Sequence, residues 1–427
     1  MVTTSAVSLA AEAPSPEAYL RIAAEAEANL QKQILDKWFP VADDDQAGGF
    51  YENYREDWTR EQTGQKSIVY QSRLTWLSAG AAMRYPAKVQ MYAAQSRRGA
   101  AILADKLWDK ERGGFYWQVD DAGKPSRQRP NEKHVYGNAF GMYALATNYQ
   151  LTHDTAALEL AKKTFDWLEE HAHDARNGGY FEALTLEGKP IDSTTRGNDA
   201  IGTAFGRKSM NTHIHLLEAL TTLYAVWPDD KVRTRLEEVY ELGLTKIYSD
   251  PGYLRLFFTP DWTPIETRDS FGHDIETAFL LAEAAAALGK PDDARAWTAG
   301  RKLVDHALEI GFDREHGGFY NEGALDGSNM AKEKIWWVQA EGLNALLLMH
   351  ERFGMENPKY WDAFVQQCDF ISKHQIDATH GGWYSTVRPD GTSIPNRNKS
   401  DMWTEGYHQG RSMLSVSGML RKMAGEK

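Results

Sequence analysis

The chain has 427 residues, with 48 Lys and Arg against 60 Asp and Glu, a formal charge of −12, 42% hydrophobic residues and 25% charged ones. This is ordinary globular composition, and the acidic balance disfavours a nucleic-acid partner, whose phosphates such a surface repels. No apolar run reaches the roughly 18 residues that span a bilayer, and one cysteine, Cys368, cannot form an internal disulfide or a cysteine-based zinc site.

In chain order, residues 1–16 are mostly small or polar and lack a charged start followed by an apolar stretch. They read as a disordered extension without a secretory signal, ahead of a single domain over 17–427, and a cytoplasmic protein is expected. A two-glycine step followed by aromatic residues then recurs: Gly48-Gly49-Phe50-Tyr51, Gly113-Gly114-Phe115-Tyr116, Gly178-Gly179-Tyr180-Phe181, Gly317-Gly318-Phe319-Tyr320 and Gly381-Gly382-Trp383-Tyr384. The first glycines lie 65, 65, 139 and 64 residues apart, and Asp250-Pro251-Gly252-Tyr253 is a worn sixth copy inside the long gap. Asp45, Asp109, Asp174, Asp250, Asp313 and Asp377 precede the copies, a turn signature in which glycine supplies positive φ and aspartate bonds its own backbone.

Helical periodicity fills the spaces. Segments near 17–37, 89–107, 154–171, 230–248, 291–310 and 356–373 carry an apolar stripe and solvated charges, as in Ala100, Leu103, Ala104 and Leu107. A second set, starting near Lys66, Lys133, Lys208, Gly272, Lys334 and Asp401, is apolar almost all round and therefore buried. Six turn-inner-outer units predict an all-α (α/α)6 barrel of twelve helices in two concentric rings, with short β-hairpin turns. Closure is favoured over an open solenoid because no polar capping repeat is evident. The third unit is longer by the polar stretch Ile191 to Asp199, which reads as a loop over the barrel mouth and a candidate lid.

In such a barrel the inner-helix N-termini share one mouth, so polar residues in their first turns converge. The first helix offers Arg73, the second His134 and Tyr136, and the third Asn211, His213, His215 and Glu218. The fourth offers His273, Asp274 and Glu276; the fifth Trp336, Trp337, Gln339 and Glu341; the sixth Trp403, Tyr407, His408 and Arg411. His213 and His215 lie two apart, roughly 200° around a helix, so both cannot face the cavity. His215 shares a face with Asn211 and Glu218, whereas His213 shares one with Leu217 and Leu220; His215 is the expected cavity residue. His273 and Glu276 are neighbours three apart, and a carboxylate beside imidazole would favour the protonated ring and orient it. Glu341 on an apolar helix needs a partner.

These residues resemble the N-acylglucosamine 2-epimerase superfamily, most closely its cellobiose 2-epimerase branch, from about Gly48 to Met413. The resemblance rests on Lys66 to Arg73, His134 to Phe140, Asn211 to Ala219, Ser270 to Glu276, Ile335 to Glu341, and Trp403 with Tyr407-His408. It implies a reducing disaccharide or monosaccharide substrate, epimerisation at C2, and no metal or nucleotide cofactor. By the same resemblance His273 and His408 are the proton-transfer residues, His215 a third active-site histidine after Asn211, Arg73 the essential arginine, and Tyr136 a ring-opening or hydrogen-bonding tyrosine. Glu276 and Glu341 match supporting carboxylates, while Trp336 and Trp403 match sugar-stacking tryptophans; Tyr407 belongs to the same binding set. The family's proline before Tyr-His is absent: Glu405-Gly406 stand there, which would loosen the backbone and add a charge near the mouth. Aldose–ketose isomerisation of mannose or a related sugar, N-acylglucosamine 2-epimerisation and glycoside hydrolysis are the alternative activities. A helical-repeat scaffold binding a protein or glycan is the non-catalytic alternative, and a monomer or homodimer is expected.

Overall fold

In a computed structural model of the chain, which describes residues 13–126, 132–265 and 268–426, the periodic segments become twelve long helices. In chain order these are α1 Pro16–Asn29, α2 Ile68–Arg84, α3 Val89–Ile102, α4 Val135–Thr152, α5 Thr155–His171, α6 Met210–Val226, α7 Asp230–Leu242, α8 Phe271–Ala287, α9 Ala294–His306, α10 Trp336–Phe353, α11 Lys359–Phe370 and α12 Tyr407–Met423. Even-numbered helices form the inner ring: each packs on the next, and α12 packs back on α2. Odd-numbered helices form the outer ring, with α1 lying on α12, so the barrel is closed. Five outer helices end in a π turn (Leu30–Leu35, Leu103–Leu107, Gly243–Ile247, Ala307–Gly311 and Ile371–Gln375) that leads toward the glycine turn.

Short strands tie the units together. The residues just before one inner helix pair antiparallel with those just after the next glycine turn, as in Gln65–Ser67 with Gln118–Asp120 and Lys334–Ile335 with Thr386–Val387. The last such link joins Ser400 to Tyr54, from the final unit to the first. The paired glycines are needed for two reasons: every one has positive φ, and a Cβ on Gly114 would lie 2.7 Å from the Trp167 ring.

The lysines that precede four inner helices are buried anchors, and Lys399 is a fifth. Lys66, Lys133, Lys208, Lys334 and Lys399 bind Asp44, Asp109, Asp174, Asp313 and Asp377 at 2.6–2.8 Å, with lysine side chains no more than 2% exposed. The turn aspartate of the first unit is therefore Asp44, not Asp45, which is exposed: only the residue four before the first glycine can reach the turn amides. Asp250 is likewise not a turn anchor; it pairs with Lys302 at the surface. In that unit Asp269 occupies the lysine position and binds His306 Nε2 at 2.6 Å. Burial pushes Asp174 and Asp377 up, but their lysines and turn amides outweigh it and hold both at about 2. Replacing Lys334 with Met strips the charge partner from Asp313 and leaves the Gly317 carbonyl without its donor, Nζ at 2.6 Å. The expected cost is about 3–5 kcal/mol, read as a lowered midpoint in urea denaturation; a midpoint equal to wild type would show that the anchor is dispensable.

Three local expectations change. Ser15 caps α1, so the cap and first residue of that helix fall inside the 1–16 span read as an extension; residues 1–12 lie outside the described residues. The last inner helix starts at Tyr407 rather than near Asp401, because the Asp401 carboxylate accepts from the Trp403 and Thr404 amides and holds a turn. Gly406 does not loosen that turn: its φ is −80°, and a Cβ there would come within 2.9 Å of Leu77. The long polar stretch of the third unit is pinned to the start of α4, where buried Asp199 accepts from His134 Nε2 at 3.1 Å. Among the described residues no helix is long and apolar enough to cross a membrane.

Candidate active site

The first turns of the inner helices open on one cavity of about 190 Å3. Arg73 comes from α2, Tyr136 from α4, Asn211 and His215 from α6, His273 and Glu276 from α8, Trp336 and Trp337 from α10, and His408 from α12, with Trp403 supplied by the preceding turn. Six helix N-termini face the same space, so their backbone dipoles add a positive potential there. Nine of the eleven expected site residues line this cavity. Glu341 and Tyr407, expected to bind substrate, do not: both are fully buried behind the wall.

His213 is withdrawn into the scaffold. Its Nδ1 bonds the Ser209 carbonyl at 2.7 Å and its Nε2 accepts the Tyr180 amide at 3.0 Å. It serves the glycine turn as Gln71, Asn138, Asp274 and Gln339 do in their units, each accepting an amide at 2.8–3.0 Å. His215 instead lies on the cavity, its Nδ1 bonded to Glu218 Oε2 at 3.1 Å and its ring 5.1 Å from that of Tyr136.

The two histidines of α8 and α12 are oriented differently. His408 Nδ1 lies 2.8 Å from Glu341 Oε1; a carboxylate only accepts, so Nδ1 carries the hydrogen and Nε2 keeps its lone pair. His273 is not oriented by Glu276. Its Nδ1 meets the Ser270 hydroxyl at 2.6 Å, and Ser270, although it is the N-cap of α8, makes no capping bond with that side chain. Ser67 and Ser209, at the same position of α2 and α6, do cap. Burial lowers His273 to about 4, with Glu276 opposing, so the ring is neutral rather than protonated at neutral pH. Burial, then Arg73, hold His408 well below the usual imidazole range. Trp337 lies between these histidines, 4.8 Å from the His273 ring and 5.6 Å from the His408 ring.

Arg73 donates to the Tyr136 hydroxyl at 2.9 Å and to Glu405 at 3.3 Å, with the Phe140 ring 4.4 Å from its guanidinium carbon. Burial pushes the Tyr136 phenol up to about 12 against the pull of Arg73, so it remains a hydrogen-bond donor. Beneath the cavity, Arg411 gathers three carboxylates. Its Nη2 contacts Glu276 Oε1 at 2.5 Å and Glu341 Oε1 at 2.7 Å, and its Nη1 contacts Glu218. Glu218 also accepts from Tyr407 at 2.5 Å. Burial raises Glu218, but Arg411 and His215 outweigh it and hold the carboxyl at about 2. Glu276 therefore reaches the cavity wall as part of a charge network. Arg411 holds it, and although Arg411 and Glu218 stand out as polar residues on apolar helices, spacing does not mark the network because Arg411 reaches partners 135 and 193 positions away.

Glu276, Glu341 and His408 stand close enough to ligate a metal ion. Arg411 Nη2 already occupies the Oε1 atoms of both carboxylates, so a dication would compete with a resident guanidinium. This donor set fits an ion pair better than a metal. On residues of the cavity wall, Asn211 Oδ1, Trp336 Nε1 and Arg73 Nε are buried atoms without a partner among the described residues.

The model of the N-acylglucosamine 2-epimerase (GlcNAc 2-epimerase) family matches residues 49–409. The cellobiose 2-epimerase of Bacteroides fragilis is 31% identical over 396 residues, which is 92% of this chain and 98% of that protein. The solved structure of the cellobiose 2-epimerase from Spirochaeta thermophila superposes with a TM-score of 0.84 at 32% identity, covering 95% of this chain and 98% of that one. A more distant relative, the D-mannose isomerase of Marinomonas mediterranea, is 24% identical over 398 residues, 90% of this chain and 93% of that protein.

Proposed function

From the premise that the chain belongs to the N-acylglucosamine 2-epimerase family and is a sugar epimerase, we propose that it inverts C2 of the reducing-end aldose of a β-1,4-linked disaccharide such as cellobiose. The observation that carries this reading is a pair of neutral imidazoles, His273 and His408, on one cavity with an arginine whose charge does not titrate.

The hemiacetal opens with Tyr136 or His215 moving the proton between O1 and the ring oxygen. One imidazole then takes the C2 proton, the C2–H electron pair passes into an enediolate, and the aldehyde oxygen becomes an oxyanion. Arg73 and the converging helix N-termini are the fixed positive groups for that charge. The other imidazole, neutral in the free site, must first take a proton from solvent; it then delivers that proton to the opposite face of C2. One proton crosses from ring to ring, the sugar keeps its composition, and the two histidines end with exchanged protonation states. Their low proton affinity makes the protonated partner a strong donor. Trp336 and Trp403 supply faces for sugar rings.

Hydrolysis fits poorly. An inverting glycosidase sets its carboxylates roughly 6.5–9.5 Å apart with water between, whereas Glu276 and Glu341 share one nitrogen of Arg411, and Glu341 is occupied by His408. The test is incubation with cellobiose, mannose and N-acetylglucosamine in D2O, followed by NMR. The expected product is the C2 epimer of cellobiose carrying deuterium at C2. A ketose as the main product, free glucose, or inversion without deuterium would each overturn the proposal.

A further inference from the structure

Glu405, two residues before Tyr407, is fully buried. Its Oε1 lies 3.3 Å from Arg73 Nη1, and its Oε2 has no partner among the described residues. The other polar contact of Arg73 is the Tyr136 hydroxyl, at 2.9 Å from Nη2. The guanidinium proposed to face the oxyanion is thus held by a neutral phenol and by one carboxyl behind it. We infer that Glu405 is a positioning residue that governs Arg73, turning its fork toward the cavity and, when ionised, taking up part of the positive charge otherwise offered to the oxyanion.

The charge effect follows from Coulomb's law in a water-poor site, where a carboxylate in contact with a guanidinium lowers the potential the cation projects beyond it. The charged and titratable groups facing Glu405 are Arg73 from α2, Asp401 from the turn before α12 and, through Arg73, Tyr136, Tyr407 and Glu276. Burial raises the Glu405 carboxyl to about 7; Arg73 opposes this and Asp401 adds to it. The carboxyl is therefore neutral on the acid side of that value and ionised on the other. With Glu405 neutral, Arg73 acts at full charge; as pH rises through about 7, its effect on the enediolate is partly cancelled.

This inference rests on the epimerase reading, and the experiment separates the two. The rate of C2 inversion is measured from pH 5.5 to 8.5 for the wild-type enzyme, Glu405→Gln and Glu405→Asp, with kcat and KM reported separately. Wild-type kcat is expected to fall roughly three- to tenfold across the upper half of that range. Glu405→Gln keeps an oxygen acceptor for Arg73 but no titrating charge, so its kcat at pH 8.5 should exceed wild type and the fall should vanish while KM changes little. Glu405→Asp withdraws the carboxylate by one methylene, so the fall should persist with a displaced midpoint. Profiles of Glu405→Gln that overlay wild type, or that lie below it by a constant factor, overturn the inference and leave the epimerase standing. If the Gln protein folds poorly, an unmoved midpoint in Glu405→Asp overturns it alone. A wild-type protein that inverts no reducing sugar overturns the function instead.

Discussion

His408→Ala is expected to lower the rate of C2 inversion by roughly 10²- to 10⁴-fold, the usual contribution of a positioned general acid or base, and His273→Ala should do the same. Neither change need damage the fold. Without the His408 ring, Glu341 Oε1 keeps its contact to Arg411 at 2.7 Å; without the His273 ring, the Ser270 hydroxyl is released to cap α8 as Ser67 and Ser209 cap their helices. The informative readout is asymmetry. With one base removed, the survivor can still pull the C2 proton from one epimer and return deuterium to the same face, so exchange without inversion should persist for that epimer and stop for the other. His408→Ala and His273→Ala should leave opposite epimers competent. Glu341→Gln should show a milder loss, about 10- to 100-fold in kcat, by analogy with groups that orient a reacting imidazole through its far nitrogen. Near wild-type inversion in either alanine variant would defeat the two-base scheme. His213→Ala provides the contrast: it leaves the Tyr180 amide without its acceptor inside the scaffold, so stability should fall while the proton-transfer pair is untouched.

That contrast also shows how far linear spacing carries. His213 and His215 are separated correctly by helical geometry alone, because two residues on one helix cannot share a face when they lie two apart. The barrel is legible for a similar reason: paired glycines and aromatic residues at steps of 64 or 65 positions, with one gap of 139 that holds the worn copy, mark repeated turns, and all-round apolar segments mark the inner ring. Spacing fails where a role depends on a partner far along the chain. Glu276 sits three residues from His273, yet it goes to Arg411 on α12, while Ser270, an unremarkable N-cap, takes the imidazole. Arg411 and Glu218 are visible as polar residues on apolar helices, but nothing local says that one cation binds three carboxylates. Lys66, Lys133, Lys208 and Lys334 look like polar starts of helices; only the closed ring shows them buried against turn aspartates.

Arg411→Met is expected to be the most damaging single change to stability, because it removes the one cation that Glu218, Glu276 and Glu341 share while keeping similar side-chain bulk. Arg411 is 4% exposed and its three partners are no more than 4% exposed, so the remaining charges face a poorly solvating interior. Breaking a buried network by deleting one member costs about 3–5 kcal/mol, in contrast to replacing the whole network by apolar groups, which can be neutral. The pH dependence gives the test its sign. In the wild-type protein Glu218, held at about 2, contributes stability that is present above its unfolded value and is lost as pH falls toward 2. Without Arg411 the carboxyls are pushed above their unfolded values by burial and by one another. The variant therefore gains protons on folding, and its stability is retained below about pH 4.5 and lost as pH rises. The gap between the two proteins should be widest at pH 7 and above and should narrow steadily as pH falls to about 4 in urea denaturation. A gap that stays constant across that range would mean that Arg411 acts through packing and not through its charge. A variant within about 1 kcal/mol of wild type at pH 7, below the loss expected for a broken buried pair, would mean that the three carboxylates do not need it.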